Sequence, residues 1–411
     1  MKLKINGKRL LQDFEALGDI GATVGGGVTR LALSNDDLEA RSWFADRIEE
    51  AGLWIHDDEV GNLSGILYSD NSDAKTLLIG SHLDTVPNGG RYDGSIGVLA
   101  GLECLRTIKE ANIKLNYHLE VINFTDEEGT WKSLLGSFGL IGGIEANDIN
   151  DSLRDNGAFR AALFRAGILP PEIPRAKRDA NDIAGYLEMH IEQSDKLHST
   201  GTDIGIVTSI VGRTTFNLTF FGEASHAGTT TAEQRRDALQ GAAAFIILVH
   251  SAINQEFPTG VVNCGHVSVK PDTFNVVPSE ASLRVECRHP DTEKLKDMES
   301  RIVRLAHDCA KDYRLSVGID RELHRMAEKM SPELMASIEQ ACQDDDVSYM
   351  NIISYAGHDA QIMNQITPSA MIFLPSVNGI SHNPKEFTEW HHVEQGANVL
   401  LQTILNLATN P

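Results

Sequence analysis

The sequence predicts an α/β protein in two parts. The larger is built on a mixed, mostly parallel sheet flanked by helices, and the smaller is an inserted βαββαβ domain. Three observations carry this reading. Apolar runs that read as strands alternate with amphipathic runs that read as helices, and the strands are apolar throughout rather than on one face, as strands covered on both sides must be. Between 212 and 326 the order changes to β-α-β-β-α-β, a split unit of the size of a small domain. After 327 the first texture resumes, which gives 1–211 with 327–411 as the larger domain and 212–326 as the insert. A chain of 411 residues also exceeds what one ordinary core accommodates.

The elements follow in order. Residues 7–20 and 36–52 read as helices, the second capped by Ser34 or Asn35 and stopped by Gly52, with a loop at Gly25-Gly26-Gly27 between them. Strands are expected at 54–57 and 62–68, turning at Gly61, and over the apolar run that ends at His82. A helix over 94–111 leads to a strand over 119–125, which runs into Asp126-Glu127-Glu128-Gly129. Residues 131–180 mix helix and loop, broken by Pro170, Pro171 and Pro174, before a strand through Tyr186–Gln193. The insert holds strands at 213–222, 260–270, 280–288 and 314–323 and helices at 232–255 and 291–312. A helix at 332–344, strands at 347–353 and 369–374 and a last helix at 391–409 complete the chain.

Composition excludes several partners. Lys and Arg number 36 against 58 Asp and Glu, a formal charge of −22 that repels nucleic acid and anionic membrane. Five scattered cysteines form neither a zinc ribbon nor a disulfide framework, which suits a reducing cytoplasm. The polar start at Met1–Asn6 has no signal-peptide core, and no run of about 18 apolar residues suggests a membrane span.

Ligand-type residues gather at strand ends: His82 with Asp93, the acidic cluster 126–128, His190, and His382. In a parallel sheet these ends converge where ligands bind. A lone histidine at such a place is usually a packed one, and Asp126-Glu127-Glu128 alone is usually a solvated loop; the repetition is what points to metal. Five ligating side chains exceed what one catalytic zinc takes, and suit two ions sharing a carboxylate with a water held between them. Glu127-Glu128 can then supply one ligand and one general base. Asp84 is placed either to orient the His82 imidazole or to shape a turn. Mixed His and carboxylate donors admit zinc first, and manganese, cobalt or nickel besides.

The segments Gly80–Val86, Asn88–Gly94 and Thr125–Gly129 resemble the zinc-peptidase superfamily of carboxypeptidase G2 and aminoacylase. Met189–Gln193, Ala224–Thr230, Ala356–Ala360 and Gly379–Pro384 narrow the resemblance to its hydantoinase/carbamoylase branch. That branch comprises N-carbamoyl-L-amino acid hydrolases, allantoate amidohydrolases and β-ureidopropionases. The resemblance implies a homodimer joined through the insert, which acts as a lid, and a small ureido-acid substrate cleaved at its carbamoyl C–N bond. By its motifs, His82, Asp93, Glu128, His190 and His382 match metal ligands, Asp93 bridging, and Glu127 matches the base acting on a metal-bridging water. His226 matches a histidine that reaches the other subunit's site and stabilises the oxyanion. Asn275 and Arg288 match residues that hold the substrate carboxylate, and Gln193, Gly357 and His358 match further substrate contacts.

Within the branch, allantoate is the alternative substrate, through Ser354–Gln361 and Asn378–Pro384; a dipeptidase or aminoacylase lies further off, since it should lack His226, Asn275 and Arg288. A silent scaffold on this fold should have lost a ligand or the base, and none is missing. Ser194 stands where the family has Gly, and Thr130-Trp131 where Arg-Phe is common; both departures bear on substrate choice. The plain reading of His226 is a turn histidine, and of Arg288 a strand arginine paired with an acidic neighbour. His118, His266, His289, His391 and His392 match nothing and read as surface or structural residues.

Overall fold

The structure is a computed structural model that describes residues 2–150 and 155–409. Met1, and residues 151–154 of the stretch read as helix and loop, lie outside the described residues. The chain forms two compact units, Met1–Thr208 with Met330–Pro411, and Ser209–Lys329.

In chain order the strands are β1 (Trp54–Asp57), β2 (Leu63–Leu67), β3 (Thr76–His82), β4 (His118–Phe124), β5 (Ile183–Ile191) and β6 (Ile204–Ile210). Then come β7 (Gly212–Phe221), β8 (Ser225–His226), β9 (Val261–Lys270), β10 (Val276–Val277), β11 (Glu280–His289), β12 (Ser316–Arg325), β13 (Glu328–Lys329), β14 (Tyr349–Ser354) and β15 (Ser369–Leu374). The α-helices are α1 (Gly7–Asp19), α2 (Asn35–Glu50), α3 (Ser95–Glu110), α4 (Leu135–Ile141), α5 (Asn156–Arg165), α6 (Lys196–Thr200), α7 (Ala238–Glu256), α8 (Thr292–Asp312), α9 (Pro332–Asp344), α10 (Asp359–Met363) and α11 (Trp390–Thr409).

The first unit is built on a sheet of order β1-β2-β4-β3-β5-β15-β6, with β14 beside β6. Its centre, β4-β3-β5-β15, is parallel, and antiparallel strands flank it. This is the mixed, mostly parallel sheet the apolar runs imply. Both faces are covered, so β3, β4 and β15 are buried almost end to end. Helix α3 is buried from Ser95 to Ile108, because the sheet lies on one side of it and α1 and α11 on the other. Four neighbouring parallel strands thus end on one edge, at His82, Phe124, Ile191 and Leu374.

One buried charge on this sheet is fully matched. Glu120 of β4 is 2% exposed, and Arg178 donates to both of its oxygens at 2.7 Å. The plane of the guanidinium fits both acceptors at once. Arg178→Ala strands a buried carboxylate and is expected to cost about 3–5 kcal/mol in a urea titration. Arg178→Lys restores charge but not the fork, and should recover only part of that loss.

The second unit is an antiparallel sheet of order β12-β7-β11-β9 with α7 and α8 packed on one face, plus the short pair β8–β10. Alternation along β7 puts Phe216, Leu218 and Phe220 into the core with the helices and leaves Arg213, Thr215 and Asn217 on the other face. Helix α7 begins at Ala238, not at 232 as the sequence suggests. Asp237 is its cap, taking the Leu239 and Gln240 N–H groups, while Arg235 donates to the Ala227 carbonyl and the Arg236 carbonyl accepts from Glu223 N. Those bonds hold residues 231–237 to the 222–228 segment, and tertiary contacts override local helix preference. α7 is also the one described helix long and apolar enough to cross a membrane, which the sequence reading passed over. Phe245, Val249 and Ile253 at helical spacing face the unit's own core, so the apolar character serves packing.

Candidate metal centre and catalytic residues

The site grows from the four strand ends. His82 closes β3 and His190 lies near the end of β5, its neighbour in the sheet. Asp93 returns to the same edge through the 85–94 loop. Gly94 makes that return possible: its φ is +66°, and a Cβ there would stand 2.4 Å from the His82 ring. Glu127 and Glu128 follow β4, and His382 sits in the loop after β15.

Asp93 is central. Its Oδ1 lies 3.0 Å from His190 Nε2 and 3.5 Å from His82 Nε2. Its Oδ2 lies 3.5 Å from His382 Nε2, which is also 3.5 Å from Glu128 Oε2. Two groups of ligand atoms result, His82–Asp93–His190 and Asp93–Glu128–His382, joined by one carboxylate. Glu127 belongs to neither and points its Oε2 to 3.6 Å from His82 Nε2.

The imidazoles are set for ligation. His82 Nδ1 faces the Asp84 carbonyl at 3.0 Å and His190 Nδ1 the Ile191 carbonyl at 2.8 Å. A proton on each Nδ1 leaves both Nε2 atoms as electron-pair donors toward Asp93. His82 Nε2 is buried without a hydrogen bond, while His190 Nε2 accepts the Gly94 N–H at 3.2 Å. A buried nitrogen with no hydrogen bond, set beside a carboxylate, fits a metal ligand.

Asp84 acts differently from a simple imidazole partner. Its carboxylate is 3.8 Å from His82 Nδ1, and it accepts the Glu127 and Glu128 N–H groups at 3.3 and 3.2 Å. One residue thus orients His82 through its main chain and the two glutamates through its side chain. Asp126 fixes the same loop from below, accepting from Thr130 N, Trp131 N and Lys132 N at 2.6, 2.9 and 2.7 Å. Trp131 turns inward, stacks on Phe159 and donates Nε1–H to the Ala32 carbonyl. Ser194 donates to Glu192. The two departures from the family pattern are therefore used locally, in packing and in a turn.

Electrostatics point the same way. Burial, then the Asp93 charge, pushes Glu128 and Glu386 each up to about 7. Burial and Asp84 push Asp126 up to about 8. Burial also raises Glu127 well above the usual carboxylate range; Glu128 and Asp359 add to this and His82 opposes it. Burial works against the charge on Asp93, yet His190, His382 and His82 hold it well below its ordinary value. The Asp93 contact lifts His382 to about 9 against burial. So many buried carboxyls cannot all ionise beside one another without added positive charge, which a divalent cation would supply.

The remaining expected residues divide by unit. Gln193 has φ +60° and donates Nε2–H to Asp93 Oδ2 at 2.7 Å, so it holds the Asp93 carboxylate. His358 is buried, edge-on to His190 with ring centroids 4.5 Å apart, and its Nε2 meets Ser354 Oγ; Gly357 precedes it in the loop before α10. In the second unit, His226 pairs with Val276 across β8–β10, and Ala227 N donates to the Asn275 carbonyl. His226 Nδ1 accepts from Gly228 N and Thr229 N at 3.1 and 3.2 Å, which puts its proton on Nε2 and makes that atom a donor. Arg288 Nε donates to Glu286 at 2.7 Å, the plain pairing expected for a strand arginine.

Sequence reasoning passed over Ser381 and Glu386. Ser381 Oγ lies 2.9 Å from Asp93 Oδ2 and 3.1 Å from Glu386 Oε2. Glu386 Oε1 accepts from Tyr92 N and Asp93 N at 2.9 and 3.1 Å. Both flank His382 in sequence, and that proximity was the available signal.

The profile of peptidase family M20/M25/M40 matches residues 78–406. The chain belongs to this family. An N-carbamoyl-L-amino-acid amidohydrolase from Pseudomonas sp. (strain NS671) is 35% identical over 407 residues, 98% of each chain. The allantoate amidohydrolase of Escherichia coli K12 is 34% identical over 401 residues, 95% of this chain and 96% of that one. A crystal structure of a hydantoinase/carbamoylase family amidase from Burkholderia multivorans superposes with a TM-score of 0.90 at 32% identity, covering 100% of this chain and 99% of that one. Membership makes this M20 chain a hydrolase acting on amide C–N bonds, with a divalent-metal centre among the residues just described.

Proposed function

We propose that the protein hydrolyses the carbamoyl C–N bond of an N-carbamoyl-L-amino acid or a similar small ureido acid, using two divalent ions. The observation that carries the reading is the division of Asp93: Oδ1 faces His82 and His190, and Oδ2 faces Glu128 and His382. His82, His190 and Asp93 would hold one ion, and Asp93, Glu128 and His382 the other. Bound there, zinc or manganese supplies Lewis acidity and makes water acidic near neutral pH.

The chain's own residues do the rest. Glu127, beside His82 and outside both ligand groups, takes a proton from the water that adds to the ureido carbonyl. The protonated Glu127 then returns the proton to the departing nitrogen. The amino acid leaves with that nitrogen, and the carbamate left behind breaks down to ammonia and carbon dioxide. His226 of a partner copy donates Nε2–H to the oxygen that gains charge. Arg288 and Asn275 grip the substrate carboxylate. A guanidinium row supports that grip: Arg325, Arg213 and Arg288 lie in register across β12, β7 and β11. Glu286 already occupies Arg288 with a carboxylate, as the substrate would in its turn.

We assign the second unit as lid and dimer contact. Ile247 (71% exposed) and Leu248 on α7, with Val261 and Val267 on the edge strand β9, offer apolar surface for a second copy. The cytoplasm is the assigned compartment, since all five cysteines are unpaired.

The test is a substrate panel: N-carbamoyl-L-amino acids, N-carbamoyl-β-alanine and allantoate, each with zinc and with manganese, read by ammonia release. Turnover of the first class is expected to lead. Preference for allantoate shifts the assignment within the ureido acids, and hydrolysis of none of them returns the chain to the peptidases of its family. Arg288→Ala should raise KM about tenfold or more on the preferred acid, a loss of at least one charge-assisted contact.

A further inference from the structure

His391 and His392 match no motif of the family. They open α11 and turn toward Asp203, the residue before β6. Their ligand atoms and an Asp203 oxygen lie within 4.8 Å of one another. His392 Nδ1 is shielded from solvent and lies 3.3 Å from Asp203 Oδ1, with Gln395 also reaching the imidazole. That spacing has a meaning. Zinc binds nitrogen and carboxylate oxygen at about 2.0–2.1 Å, which puts two ligands of a tetrahedral ion roughly 3.3 Å apart.

The carboxylate is also oriented from behind. Asp203 Oδ2 accepts Ser348 Oγ at 2.6 Å and Ser348 N at 3.2 Å, while Asp203 N donates back to Ser348 Oγ at 2.9 Å. Oδ1 is the oxygen left to face His392. Outer hydrogen bonds of this sort hold a ligating carboxylate in place. The two rings have centroids 3.9 Å apart, although neighbours on a helix diverge by about 100°. Both imidazoles have been brought to one spot.

We propose that Asp203, His391 and His392 form a further divalent-metal site, sharing no residue with the central one. Two nitrogens and one carboxylate oxygen suit zinc, cobalt or nickel, with water completing the shell. An ion here clasps the first turn of α11 to the start of β6 and, through Ser348, to the segment leading into β14. The helix N-terminus disfavours a cation, but the Asp203 charge and the coordinate bonds oppose that effect. The plain alternative is a histidine–aspartate contact with no ion.

Equilibrium dialysis of the full chain against zinc, followed by metal counting, separates the two. Wild type should hold one ion more per chain than His391→Ala, His392→Ala or Asp203→Asn, or bind that ion at least tenfold more tightly. Zinc should raise the melting temperature of wild type more than that of the variants, whereas melts in chelator should coincide for wild type and the exposed-site variant His391→Ala. Turnover at saturating metal should be unchanged in His391→Ala. Equal zinc counts and affinities in wild type and variants overturn the proposal, as does a zinc-dependent melting shift that survives in all three.

Discussion

Glu127→Gln is expected to lower kcat by about 10²–10⁴-fold, the span a positioned general base contributes, with the metal content unchanged. Gln keeps the shape of the side chain but cannot accept a proton. Because Glu127 lies outside both ligand groups, its loss should leave His82, Asp93, His190, Glu128 and His382 in place. Glu128→Gln makes the contrast: Glu128 faces His382 at 3.5 Å, so that variant should lose metal as well as turnover. The two glutamates are adjacent and share Asp84 as anchor, yet they should fail differently. Metal counting alongside single-turnover rates checks this. Full activity in Glu127→Gln would sink the proton-transfer role.

Much of this arrangement is legible in the residues. The runs at 76–82, 118–124 and 369–374 read as strands covered on both faces, and candidate donors stand at or just beyond their ends. Chemistry at the end of a buried strand is visible because polar ligands interrupt an apolar run. What stayed hidden is of three kinds. Strand β6 was passed over although Ile204, Ile206, Val207, Thr208 and Ile210 are β-branched; β15 and β14 offer it edges to pair with. The start of α7 moved because bonds from Arg235 and Arg236 to the neighbouring loop outweigh local propensity. The supports of Asp93, namely Glu386, Ser381 and Gln193, act across 100 to 293 residues of sequence, and only the folded loops bring them together. Composition and spacing see neither the loop closures that set Gln193 and Ser381 against the Asp93 carboxylate nor the main-chain N–H groups that Glu386 accepts. The dual use of Asp84, carbonyl to His82 and carboxylate to the glutamate amides, belongs to the same class.

Asp93 is where the largest loss of metal is expected. It is the one residue that offers an oxygen to each ligand group, and it is nearly buried. Asp93→Asn keeps Oδ1-like geometry on one side but puts an NH2 group on the other, so the central site should fall from two ions to at most one. Asp93→Ala removes both contacts, and the three imidazoles then face one another without an anion between them. Turnover in either variant should fall by at least about 10³-fold, since electrostatic stabilisation and water activation are lost together. His382→Ala provides the control: it removes a ligand of the Glu128 group alone, so one ion, held by His82, His190 and Asp93, should remain. Dialysis followed by metal counting distinguishes these outcomes. Two tightly held ions in Asp93→Asn would show that the carboxylate is not shared, and the site would have to be rebuilt with separate ligands for each ion.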